Sequence, residues 1–215
     1  TLAGCSRPAY PPTGHPPEAG RKDESYVSYT FGICSPAPSW LVTPLLGGLY
    51  PDKAIQTEIA GEAALLAGLE NGTYQLAVLA RKPEAPALFA RPCGRESLAF
   101  ALPPGHRFAG RESLSFTEMN GETMILMDNI GFWNFVRTEK MPDSRFLIQS
   151  DSFSFQELLR SSTLPAFTTD LAKIYLKQTP GRIEVPVSDP EGSVTYYLVC
   201  RRETAPTFRA LFAAL

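Results

Sequence analysis

Tyr26-Val27-Ser28-Tyr29-Thr30-Phe31-Gly32-Ile33, Ala54-Ile55-Gln56-Thr57-Glu58-Ile59 and Tyr74-Gln75-Leu76-Ala77-Val78-Leu79-Ala80 are strand-like runs, and what separates them decides the fold. After the first run, Cys34-Ser35-Pro36-Ala37-Pro38-Ser39 makes a turn, with Ser39 placed to cap a helix that starts at Trp40. Trp40, Leu41, Leu45, Leu46 and Leu49 then recur at helical spacing, and Tyr50-Pro51-Asp52 ends the helix. Glu62 to Glu70 reads as a second helix, closed by Asn71-Gly72, a pair that tolerates the left-handed backbone of a helix stop. Strands that alternate with helices return to the same end of a sheet before pairing. The order β-α-β-α-β therefore predicts a mostly parallel sheet with helices on its faces.

The alternation continues to the C-terminus. Strands are expected at Leu98–Leu102, Thr123–Met127, Arg145–Gln149, Leu164–Phe167 and Val194–Cys200. Helical segments are expected at Phe116–Met119, Gly131–Thr138, Phe153–Arg160, Thr169–Lys177 and Phe208–Leu215. Residues 1–24 hold Pro8, Pro11, Pro12, Pro16 and Pro17 with three glycines and few apolar side chains, so they read as a linker or a laid-down arm.

Composition narrows the function. The chain has 215 residues, 44% hydrophobic, enough for one or two lobes with a real core. Its net charge of −2, with no basic cluster, leaves no surface here for displacing counterions from DNA phosphates. Cys5, Cys34, Cys93 and Cys200 lie far apart and only His15 and His106 accompany them, which argues against structural zinc and for free, buried thiols in a reducing cytoplasm. No apolar run is long enough to span a membrane.

Four strings add a resemblance. Leu45-Leu46-Gly47-Gly48-Leu49-Tyr50-Pro51, Leu65 to Val78 with Leu69, Gly72 and Gln75-Leu76-Ala77-Val78, Leu102 to Arg111, and Pro186–Pro190 followed by Tyr197–Arg201 stand in one order. Together they resemble the effector-binding domain of LysR-type transcriptional regulators from Tyr26 to the C-terminus. Gln75 stands where that family usually has Asp, Arg107 where it has Pro, and Ser161–Pro165 where it has a Gly-rich turn. The resemblance implies an α/β fold of two Rossmann-like lobes joined by two crossover strands, the periplasmic-binding-protein-like arrangement of type 2. Residues 25–97 with 201–215 would form the first lobe, and residues 98–200 the second. It further implies a small-molecule effector in the cleft, no cofactor, a homodimer or higher oligomer, and DNA contact only through a helix-turn-helix outside this chain.

Ligands of open α/β sheets gather at the carboxyl ends of strands, which selects the candidate site residues. Ser35, Ser39 and Trp40 follow the first strand, where Ser39 and free N–H groups offer an anion-friendly nest or simply a helix cap. Glu62 opens the second helix, bringing charge to a ligand or complementing the helix dipole. Arg81 offers a cation or a solvated side chain. Asn129 and Trp133 follow an apolar strand, the first as a two-way hydrogen bonder and the second as a flat wall or a core residue. Ser152, Thr168 and Thr169 end the last strands and could line the second lobe's side of the cleft, Thr169 reading first as a plain helix cap.

Two other functions compete. Leu2-Ala3-Gly4-Cys5 resembles a lipoprotein cleavage box, which would suit an extracytoplasmic solute-binding protein of the same fold. For an enzyme there is no nucleophile elbow, HExxH, P-loop or dinucleotide fingerprint. Cys34 is the one nucleophile candidate, and it has no histidine near it in sequence. His106, after Pro-Pro-Gly, reads as structural.

Overall fold

The computed structural model describes residues 28–176 and 181–215. The arm expected over residues 1–24, the Leu2–Cys5 box, and Tyr26 and Val27 of the first strand lie outside the described residues, as does Lys177 of the helix expected from Thr169.

In the first sheet, β1 (Tyr29–Ile33) runs parallel to β2 (Ile55–Ile59), with Tyr29 opposite Ile55, and to β3 (Leu76–Leu79), with Phe31 opposite Leu76. Two helices connect these strands, α1 (Ala37–Leu49) and α2 (Glu62–Asn71). Phe31, Leu46, Leu65 and Leu69 are fully buried where helices meet sheet. Gly72 ends α2 at φ +84°, the left-handed stop that Asn71-Gly72 suggested. Helix α1 starts three residues earlier than expected. Pro38 fixes a helical φ in its first turn, Pro36 is the N-cap, and no side chain caps it. Ser39 therefore sits inside the helix, its hydroxyl donating to the Pro36 carbonyl at 2.7 Å.

The second sheet pairs β5 (Thr123–Met127) in parallel with β6 (Arg145–Gln149) and β7 (Ala166–Thr169). It carries the helical turn α3 (Phe116–Met119), α4 (Ser152–Ser161) and α5 (Asp170–Leu176). One long strand, β4 (Leu88–Leu102), joins the two sheets. Its first part, Leu88 to Ser97, is antiparallel to β9 (Ser193–Arg201), with a register shift between Pro92 and Gly94. From Leu98 it pairs instead with β7 and with the short β8 (Ile183–Pro186). Strand β9 returns against β3, Ala77 opposite Val199, and α6 (Arg209–Ala213) closes the chain on the first lobe. Two lobes connected by two crossing strands is the expected α/β arrangement.

The helix expected over Gly131–Thr138 is instead a 3-10 turn, Gly131–Trp133, followed by a wide turn, Val136–Lys140, in which Met141 N–H reaches the Val136 carbonyl at 2.9 Å. Positive φ at Asn129 (+55°) and Gly131 (+58°) bends the backbone sharply there. That bend carries Gly131 onto the first lobe.

Candidate functional site

The carboxyl ends of β1 and of β5–β7 face one another, and a cavity of about 310 Å³ lies between them. Pro36, Ala37 and Trp40 contribute from the start of α1. Met127 ends β5, Asp128 and Ile130 follow it, Ser152 and Phe155 belong to α4, and Thr168 and Thr169 end β7. Glu96 and Leu98 of β4 complete the wall beside Trp133. Trp40 of the first lobe lies 5.9 Å, ring centre to ring centre, from Tyr175 of the second.

Glu96 organises one side of this cavity. It is only 3% exposed, and one carboxylate oxygen accepts the indole N–H of Trp133 at 2.9 Å and the phenol O–H of Tyr196. Tyr196 has thereby used its only proton, so the 2.8 Å contact with Ser35 has the Ser35 hydroxyl donating to the phenol oxygen. The chain Ser35–Tyr196–Glu96–Trp133 thus ties the loop after β1, both crossing strands and the turn after β5. Burial raises the Glu96 carboxyl above its ordinary value. Donors from Tyr196, Trp133 and Thr169 oppose that without reversing it.

Of the residues singled out from sequence, Trp40, Trp133, Ser152, Thr168 and Thr169 line the cavity. Trp133 is both wall and core, 6% exposed. Thr169 also caps α5, its hydroxyl oxygen accepting the Ala172 N–H at 2.9 Å. Thr168 is 4% exposed, and its hydroxyl has no hydrogen-bond partner. The others are placed elsewhere. Ser35 is fully buried in the Tyr196 network, and Ser39 bonds within α1. Glu62 and Arg81 pair with each other at 2.9 Å, and Arg81 borders a separate groove with Phe132 and Phe135. Asn129 lines an adjoining pocket of about 290 Å³ with Asp128 and Arg137.

Sequence reasoning missed Glu96 and Tyr196. A signal for Glu96 was present: strand residues two apart share a face, and Glu96 stands in step with Leu98 and Phe100, both buried. A carboxylate on an apolar strand face needs partners, and here it has them.

The described thiols are poor nucleophiles. Burial pushes Cys34 and Cys93 up to about 12 and Cys200 up to about 11. Among the described residues, no three His, Cys, Asp or Glu side chains gather as metal ligands, and no helix is long and apolar enough to cross a membrane.

Residues 28–215 match the family model described as the LysR substrate binding domain. The chain belongs to this family. It is a LysR-family regulatory domain, a module of transcription factors and not an enzyme. Curated relatives include the hydrogen peroxide-inducible genes activators of Haemophilus influenzae, 28% identical over 88 residues, and of Dickeya chrysanthemi, 26% identical over 88. Each alignment covers 41% of this chain and 29% of the relative, so the match spans under a third of those proteins. Among solved structures, the MetR regulatory domain from N. meningitidis superimposes with a TM-score of 0.65 at 14% identity, over 87% of this chain and 95% of that one. A full-length OxyR variant from Pseudomonas aeruginosa gives 0.64 at 17% identity, over 88% and 65%. CbnR complexed with its target DNA gives 0.57 at 13% identity, over 89% and 69%. At these identities the likeness is one of fold.

Proposed function

We propose that this LysR-family domain senses a small effector in the cavity between its lobes and passes that event to a DNA-binding module outside the chain. One observation carries the reading: strand tips from both lobes converge on one mostly apolar cavity, and Trp40 of its wall also meets Tyr175 of the second lobe. A ligand touching both lobes binds the closed arrangement better than an open one, and that difference is what an allosteric signal requires. The lobe division at 97/98 is supported by register, since Ser97 pairs with Ser193 while Leu98 pairs with Thr169.

Side-by-side pairing of two copies is supported by what stays exposed. Helix α1 presents Gly47, Gly48 and Leu49 to solvent, while edge strand β6 and the start of α4 expose Leu147, Ile148 and Phe153. Apolar side chains on a sheet edge call for a cover. In our reading α1 of one copy meets the second lobe of the other, in the cytoplasm. DNA contact is proposed by analogy with the regulators named above, since this surface is not basic.

The test is a thermal-shift screen with small carboxylates, aromatic acids, amino acids and their uncharged analogues, followed by scattering and sedimentation. An effector at a hundred times its Kd adds about 2.7 kcal/mol, or roughly 5–10 °C for a domain of this size. It should also reduce the radius of gyration. A ligand that stabilises without compaction, or a monomer at all concentrations, counts against the sensor and the dimer respectively.

A further inference from the structure

We infer that the ligand of this cavity is an uncharged, ring-sized apolar molecule with one hydroxyl or carbonyl group, and that carboxylates are excluded. The inference rests on the preceding reading that the cavity is the effector site. About 310 Å³ stands at the small end of ligand pockets, and its wall is overwhelmingly apolar, with Trp40, Trp133 and Phe167 offering ring faces.

The charges set the sign. Moving an ion from water against this apolar wall is costly unless a partner meets it, and Glu96, itself an acid already bonded to Trp133 and Tyr196, is no partner for a carboxylate. The cation that sequence reasoning offered to an acidic ligand, Arg81, does not line this cavity and is paired with Glu62. Arg137 does line it, but Asp128 lines the same two pockets, so that edge carries one charge of each sign. Among the described residues Arg137 is the one cation on this lining, and Asp128 on the same edge offsets the pull it would exert on an anion. An ammonium guest fares little better, since it too must leave water for an apolar wall, and burial disfavours the ionised Glu96 that would pair with it.

Thr168 supplies the polar anchor. Its hydroxyl is buried without a partner in a residue that lines the cavity. A turn about χ1 exchanges its methyl and hydroxyl at the wall, where a guest hydroxyl or carbonyl would satisfy it.

The experiment measures binding of the full chain to matched one- and two-ring sets by calorimetry. The sets are benzyl alcohol, benzoate and benzylamine, and naphthalenemethanol, naphthoate and naphthalenemethylamine. At about pH 8 the acids are ionised and the amines protonated. An alcohol should bind at least about tenfold more tightly than its carboxylate and amine. Thr168→Val should weaken the alcohol about tenfold.

A carboxylate or amine binding as tightly as the alcohol, or no binding of either alcohol, overturns the ligand class. Plugged variants separate that failure from failure of the site. Ala172→Phe fills the cavity, and Ser152→Trp blocks it from an exposed position should the first not fold. Tight carboxylate binding that both folded plugs abolish sinks the class and leaves the site standing. Binding that survives a folded plug sinks both.

Discussion

The backbone N–H of Phe132 donates to the carbonyl of Cys34 at 2.6 Å, a main-chain hydrogen bond from the second lobe to the first. It forms because Gly131 adopts φ +58° and lies flat against Cys34 and Ser35. A Cβ there would overlap the Cys34 carbonyl oxygen and stand 2.9 Å from Ser35 Cα. Both neighbours are backbone, so neither can swing aside. The lobes close at this point because residue 131 has no side chain.

Gly131→Ala should therefore hold the lobes apart. Left-handed strain and the backbone clash together cost about 2–4 kcal/mol, visible as a fall of roughly 5–15 °C in melting midpoint. The sharper readout is X-ray scattering, where the variant's radius of gyration should exceed that of the parent. An unchanged radius would show that the Cys34–Phe132 contact does not set closure.

Glu96 gives a prediction in two parts. Glu96→Ala leaves the Trp133 indole and Tyr196 phenol buried and unpaired, at about 2–4 kcal/mol in total, whereas Glu96→Gln retains an acceptor and should cost about 1 kcal/mol or less. The second part is pH. Because burial raises this carboxyl, the folded state favours the protonated form and the unfolded chain ionises first. The stabilisation is full below the ordinary carboxylate value and is lost as pH rises through the raised folded value. Glutamine does not titrate, so the midpoint difference should move in favour of Glu96→Gln between about pH 4 and pH 8. A difference flat across that range would mean Glu96 is not shifted.

Why this glutamate escaped the sequence while the first lobe did not is a matter of local signal. β1 to β3 are short, apolar and punctuated by Tyr50-Pro51 and Asn71-Gly72, so their alternation with helices is written in adjacent residues. Strand β4 is written differently. Only Leu98–Leu102 reads as strand, because Arg91, Pro92, Gly94, Arg95 and Glu96 interrupt the pattern. Their extended form is imposed by β9, about a hundred residues away. β8 was missed for a similar reason: Ile183–Pro186 is four residues ending in proline, held by pairing with β4. At the site, the cavity's second-lobe wall was legible in Trp133, Ser152, Thr168 and Thr169, because each follows or ends a strand. The Ser35 partnership was not, since Tyr196 lies on a crossing strand whose position no local pattern reveals.

Arg182 is a structural keystone of the second lobe. Its guanidinium donates to the carbonyls of Leu159 (3.0 and 2.7 Å), Ser162 (3.1 Å) and Ala101 (3.4 Å), and also to that of Leu164. Those of Leu159, Ser162 and Leu164 stand at the end of α4 and the approach to β7, and that of Ala101 belongs to β4. Arg182→Ala should lower stability by about 2–3 kcal/mol in urea titration, and Arg182→Lys should recover less than half, because an ammonium cannot reach several carbonyls in one plane. Full recovery by lysine would mean that charge, and not the planar fork, does the joining.

The likeness to hydrogen peroxide-inducible gene activators invites a test of the thiols. Peroxide and disulfide reagents attack through the thiolate, and a thiol at about 12, as for Cys34 and Cys93, holds almost none near neutrality. Cys200, at about 11 and fully buried, is little better. In a Cys5→Ser background, folded protein should therefore react with a disulfide reagent at least about a hundredfold more slowly than a free cysteine, and urea should restore the ordinary rate. Peroxide should leave the melting midpoint unchanged. Rapid labelling of one thiol in the folded state, with a peroxide-dependent midpoint, would turn attention from the cavity to that cysteine as the sensing element.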